Sequence, residues 1–98
     1  MIQIRDVFQL QFGKAKEAQE LWKVGMKLAE KEKYGPIRVM TDLTGPFYTL
    51  VLESTHPSLA DYEASMKRMS GSNEWSEWYR KFVPLVESGR REIFTVVQ

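Results

Sequence analysis

The chain opens on an alternation. Ile2, Ile4, Phe8, Leu10 and Phe12 share one parity, and Gln3, Arg5, Gln9 and Gln11 the other, the period of a half-buried strand. Gly13 breaks it. From Lys14 to Tyr34 the period lengthens: Ala18, Leu21, Trp22, Gly25, Leu28 and Ala29 recur at three- and four-residue steps, while Lys16, Glu20, Lys23, Lys27, Lys31 and Glu32 face water. This is a helix with one apolar stripe. Gly25 within the stripe costs about 1 kcal/mol against alanine, a loss that close approach of the helix to a sheet would offset. Gly35 followed by Pro36 is a stop signal, because glycine accepts a left-handed cap and proline cannot continue the helix.

Ile37–Leu43 and Phe47–Ser54 are short and rich in β-branched and aromatic residues, with Thr44-Gly45-Pro46 between them, and read as a hairpin. Ser58 is placed to cap a second helix, with Asp61 three residues on near its free amides. Leu59, Tyr62, Met66 and Met69 mark its inner face. The loop Ser70–Asn73 supplies the cap of a third helix, taken to run on to Gly89, and Arg91–Gln98 closes the chain as a strand. The order is β-α-β-β-α-α-β over residues 1–98, one α+β domain. A split unit of this kind folds most simply as a four-stranded antiparallel sheet with its helices on one face. The crossover rule suggests the first and third strands as parallel central neighbours. Ile37 and Val39 oppose Met40, and Thr49 and Val51 oppose Leu50 and Leu52, so the strands are apolar on both parities. A sheet apolar on both faces is covered on both, and a second copy of the chain is the natural cover for the face without helices.

Chemistry is sparse along this frame. Trp75, Trp78, Phe82 and Val86 fall at i, i+3, i+7 and i+11, with Tyr79 beside them and Pro84 kinking the end. The plain reading is a helix packed on the sheet. The sharper one has Trp78 or Tyr79 lining a cavity. Asp6 interrupts the inner parity of the first strand, and a carboxylate there must be paired or protonated. Its partner would be Arg38, Lys14 or an arginine of the last strand; alternatively it serves as a base or anchors a polar ligand. His56, the sole histidine, stands before Pro57 as a partly exposed cap residue, or as a single haem ligand.

Composition narrows the classes. Fourteen Lys+Arg against thirteen Asp+Glu leave a net charge of +1 without a basic run, so the footprint of a nucleic-acid binder is absent. With no cysteine, disulfides, thiolate metal sites and cysteine nucleophiles are excluded, and one histidine makes no zinc set. No glycine-rich phosphate loop occurs, so no cofactor is expected. Apolar runs fall far short of a membrane span, and the N-terminus lacks the layout of a signal peptide. A cytoplasmic protein that binds neither membrane nor nucleic acid is expected.

The stretch Ser58-Leu59-Ala60-Asp61-Tyr62-Glu63, then Trp75 opening the next helix and Pro84-Leu85 ending it, resembles the C-terminal half of NIPSNAP-like proteins of the dimeric α/β-barrel superfamily. Ile2, Ile4 and Arg5, Gly13-Lys14 and Gly45-Pro46 fit the same pattern upstream, so the resemblance covers essentially the whole chain. It departs where the family often has an aromatic late in the third strand: here the chain reads Val51-Leu52-Glu53-Ser54-Thr55-His56-Pro57, which alters the pocket floor. The resemblance implies a ferredoxin-like subunit that pairs sheet to sheet with its twin. It leaves activity open, because the superfamily spans cofactor-free monooxygenases, haem-degrading enzymes, isomerases and ligand-binding regulators. Two functions follow as expectations. The first is a small-molecule-binding or interaction module with a modest apolar pocket. The second is a cofactor-independent monooxygenase or isomerase acting on a small aromatic or lactone-like compound. The pocket candidates are Asp6, Arg38, Tyr48, His56, Trp78 and Tyr79.

Overall fold

The computed structural model describes all 98 residues. The elements run β1 (Ile2–Leu10), α1 (Ala15–Lys31), β2 (Ile37–Thr41), β3 (Thr49–His56), α2 (Leu59–Ser70), α3 (Asn73–Phe82), a 3-10 turn (Val83–Leu85) and β4 (Val86–Thr95). No helix is long and apolar enough to cross a membrane.

The four strands form one antiparallel sheet in the order β2-β3-β1-β4. β1 and β3 are central neighbours, but they are antiparallel, not parallel, with Ile4 opposite Ser54 and Phe8 opposite Leu50. The reason is topological. The crossover through α1 makes β1 and β2 run the same way, and the hairpin then reverses the chain, so β3 enters between them in the opposite direction.

One parity of the sheet is buried under the helices: Ile4, Asp6, Leu10, Leu50, Leu52, Ser54 and His56. On the other parity the registers form rows. Met40, Val51, Val7 and Arg90 lie side by side, and the next row reads Arg38, Glu53, Arg5, Glu92. Arg5 Nη2 pairs with Glu53 at 2.9 Å. The bare face therefore carries one row of three apolar residues ending in Arg90 and one row of alternating charge, less apolar than parity alone suggests.

The helix signals act much as spaced. The Ser58 hydroxyl accepts from Asp61 N (3.2 Å) and donates to the Asp61 carboxylate (2.7 Å), and Ser72 accepts from Trp75 N. Two of the orphan first-turn donors are met in this way. α1 stops earlier than its glycine. Lys33 takes the left-handed conformation (φ 54), and Tyr34 N donates to Ala29 O at 3.0 Å, a Schellman closure that tucks Tyr34 under the helix end. Gly35 then turns the chain at φ 114.

Several expectations shift in register or place. α3 ends at Phe82 rather than near Gly89, because Pro84 enters the 3-10 turn and Val86 already begins β4. Gly89 lies mid-strand opposite Phe8. A Cβ there would stand 3.2 Å from the Phe8 ring. Between Gln9 and Leu10 the β1–β4 register slips, leaving Glu87 as a bulge. Phe12 lies beyond the end of β1 and is exposed, and Leu59 is exposed while Ser65 takes the buried place on α2. Gly25 marks a close approach of helix to helix, not of helix to sheet: a Cβ would stand 2.5 Å from Trp78 Cζ2 and 2.9 Å from Trp22 Cε3.

Candidate functional site

The helical layer meets the sheet in two apolar clusters. Leu10, Ala18, Trp22, Leu50, Leu52, Trp78, Phe82 and Leu85 form the larger. Ile4, Ala29, Tyr34, Tyr62 and Met69 form the smaller. Between them lies a cavity of about 860 Å³ lined by members of both, within the range that holds small ligands. Its floor is sheet: Asp6, Phe8, Leu52, Ser54, Gly89 and Arg91. Met66 and Met69 of α2 and Trp75, Tyr79 and Phe82 of α3 form its walls, and Trp22 and Tyr34 contribute from α1 and its C-terminal turn.

The polar part of the floor is built by register. Asp6 and Arg91 are direct cross-strand partners on β1 and β4, and Arg91 Nε donates to Asp6 Oδ1 at 2.6 Å. The carboxylate is 12% exposed and the guanidinium side chain 47%, so the acid is sunk and its counter-charge reaches outward. This charge-assisted bond answers the desolvation of Asp6.

Ser54 and His56 continue the same buried parity of β3. His56 is 3% exposed, and its Nε2 lies 3.1 Å from Ser54 Oγ. Its ring meets Tyr34 and Tyr62 edge-on at 5.0 and 5.2 Å between centroids. The expectation of a partly exposed cap is thus corrected: β3 runs through His56, parity turns its ring inward, and Ser58 does the capping. Burial pushes the imidazole pKa below its ordinary 6.5, with the charge of Asp61 opposing the shift. Burial likewise raises Tyr34 to about 12 and raises Tyr62, the latter against the charge of Arg91. Both phenols therefore stay protonated through the neutral range. Ser54 and His56 are in hydrogen-bond contact, yet no carboxylate bonds the imidazole, so this is no oriented nucleophile–base pair.

The remaining sequence candidates separate cleanly. Tyr79 lines the cavity with its ring half-exposed. Trp78 is turned into the α1–α3 contact, where its Nε1 donates to Leu21 O at 2.7 Å. Arg38 lies on the outer face of the sheet beside Glu53. Tyr48 sits at the far end of the hairpin, φ 61, its ring against Phe12 and Phe47. None of Arg38, Tyr48, His56 and Trp78 lines the cavity. No group of three His, Cys, Asp or Glu side chains is placed to hold a metal ion.

Residues 3–98 match the NIPSNAP family. The chain belongs to that family. No curated protein matches it. Among solved structures, a NIPSNAP domain protein from Burkholderia xenovorans superposes with a TM-score of 0.91 at 16% identity, covering 99% of this chain and 95% of that one. A NIPSNAP family protein from Agrobacterium tumefaciens strain C58 gives 0.89 at 18% identity, covering 96% and 90%. SnoaB, a cofactor-independent oxygenase from Streptomyces nogalater, gives 0.76 at 8% identity, covering 99% and 93%. At such identities the likeness is one of fold, the ferredoxin-like sheet with helices on one side.

For this NIPSNAP chain, sequence reasoning passed over Tyr34, Ser54 and Trp22 as site residues. A signal existed for one of them. The alternation Leu50, Leu52 continues through Ser54 to His56, which places two polar side chains on the helix-covered face. Tyr34 and Trp22 carried no such mark, since both fit an apolar core position.

Proposed function

We propose that this protein binds a small, flat, mainly apolar molecule in the cavity between β4 and the helices α2 and α3. The observation that carries this reading is the composition of the cavity: apolar walls around a floor whose polar groups are Asp6, Arg91 and Ser54. Ligand sites have this character, a greasy surface with a few convergent polar groups that set orientation. The enzymatic alternative, a cofactor-independent oxygenase or isomerase, requires a free base beside the substrate. Asp6 is engaged by Arg91 at 2.6 Å, which favours the binding reading. The test is calorimetric titration with methyl 2-naphthoate, a flat neutral probe. Saturable binding is expected, and Ser76→Phe, which adds bulk to the lining, should abolish it. Binding that is indifferent to Ser76→Phe sinks the cavity reading.

The working unit proposed is a cytoplasmic homodimer closed through the bare sheet faces. The chain exposes 6698 Å², whereas a folded monomer of 11.5 kDa is expected to expose roughly 5,800 Å². The excess is comparable to the ~800 Å² that each partner buries in a standard interface. The row Met40, Val51, Val7 supplies the apolar part, and the alternating charges beside it supply self-complementary partners. Sedimentation equilibrium should give twice the chain mass at micromolar concentration; a stable monomer there would overturn the pairing.

A further inference from the structure

The cavity has a sign. Four charged side chains line it: Asp6, Arg80, Arg90 and Arg91. Asp6 and Arg91 neutralise one another. Arg90 falls on the outer register of β4, opposite Val7, with its Nε 3.7 Å from Glu92. Arg80, exposed on α3, makes no ion pair. The uncompensated charge at the cavity is a guanidinium.

The hydrogen-bonding groups within reach of the cavity point the same way. Trp22 Nε1 and Tyr62 Oη have no partner within the chain, but both are sealed from the open space and take no part. The Tyr62 ring lies under Arg91, 5.9 Å from Cζ to centroid. Arg91 is held to Asp6 through Nε and its guanidinium also bears on the Tyr62 hydroxyl, while its side chain, 47% exposed, keeps outward N–H groups to offer. The Ser54 hydroxyl, by contrast, is already committed to His56.

Resting on the reading of the cavity as a ligand site, we propose that its ligand is an organic anion, a flat apolar body carrying one carboxylate or phenolate. Phe8, Trp75 and Phe82 hold the body. The anionic oxygen meets the outward N–H groups of Arg91, with Arg80 selecting for its charge. A cationic ligand of the same shape is repelled, and a neutral one binds through its apolar body alone.

The experiment compares three probes sharing one ring system: 2-naphthoate, its methyl ester and 2-naphthylmethylammonium, each titrated calorimetrically into the intact protein at neutral pH. A half-exposed ion pair is worth about fivefold in affinity. Naphthoate should therefore bind about five- to tenfold more tightly than the ester, and the cation most weakly. The naphthoate preference should shrink in 0.5 M salt, where screening acts within a few ångströms. Arg80→Gln should reduce the preference to about twofold. Lys81→Gln, the same loss of charge one residue on and outside the lining, should retain it. An ester that binds as tightly as naphthoate, or a preference untouched by Arg80→Gln, overturns the anion assignment while the cavity stands as a ligand site. If none of the three binds, the cavity reading and the anion assignment fall together.

Discussion

The space between helices and sheet is filled differently at its two ends. At the Leu10 end, Trp22, Trp78 and Phe82 interlock, with ring centroids 4.4 to 5.6 Å apart in both edge-on and stacked pairs. Phe8 adds an edge-on contact to Phe82 at 5.1 Å. At the Ile4 end the rings are Tyr34, Tyr62 and His56, and they surround Ser54 and an ion pair. The first end is held by apolar burial and ring geometry, which tolerate no gap. The second adds polar contacts, Ser54 with His56 and Asp6 with Arg91, that are costly to leave unpaired. The cavity lies along the seam between them, where one side offers a surface for a flat molecule and the other offers hydrogen bonds. Apolar packing and polar pairing are thus divided along the length of one sheet.

The sharpest way to break this comparison is at the tryptophan end. Phe82, among the largest fully buried side chains, changed to alanine should cost about 3–5 kcal/mol, read by chemical denaturation. A loss below about 1 kcal/mol would show that this end collapses around the gap and is not the rigid half of the molecule.

Gly25→Ala probes the same end from the opposite direction, by overfilling it. The added Cβ meets two indole rings at under 3 Å, and Trp78 is tethered to Leu21 O, so it has little room to yield. Overpacking costs about 1–3 kcal/mol, offset in part by the ~1 kcal/mol helix preference for alanine. A net loss of about 1–2 kcal/mol is expected. A net gain in melting temperature would mean the α1–α3 contact is loose.

At the polar end, Asp6→Asn removes one member of the ion pair and keeps the shape. Because Arg91 is about half exposed, water recovers part of the loss, and a cost of about 1–2 kcal/mol is expected. Naphthoate affinity should hold or rise, since Arg91 is then released toward the cavity. A fall in naphthoate affinity with unchanged stability would make Asp6 a ligand contact and not a tether.

The smallest effect is one of pH. The folded His56 has its pKa lowered by burial, so the unfolded chain binds the proton more tightly. Its share of stability is present above about 6.5 and is lost as pH falls through that value toward the folded pKa. Between pH 7 and 5 the wild-type protein should lose stability, and His56→Asn, which does not titrate, should show a flatter profile by denaturation at each pH. Identical slopes would mean that the imidazole is wetter than its packing indicates.

What the sequence determined by itself was local. Alternation and three-to-four spacing marked the elements, Ser58 and the loop Ser70–Asn73 marked two helix starts, and Asp6 stood out on the inner parity of β1, whereas the pattern ended the third strand at Ser54 with His56 beyond it. These signals depend on neighbours a few residues apart, so they are legible without knowing the fold. The tertiary structure decided which cation meets Asp6. Arg38 and Lys14 were as eligible as Arg91, which lies 85 positions away, and only the β1–β4 register set them side by side. It also decided that Gly25 serves a helix–helix contact, that Phe12 is left outside, and that Trp22 keeps an N–H without an acceptor. Each of these turns on where distant segments meet. That depends on the collective packing of three helices on four strands, which no local period records.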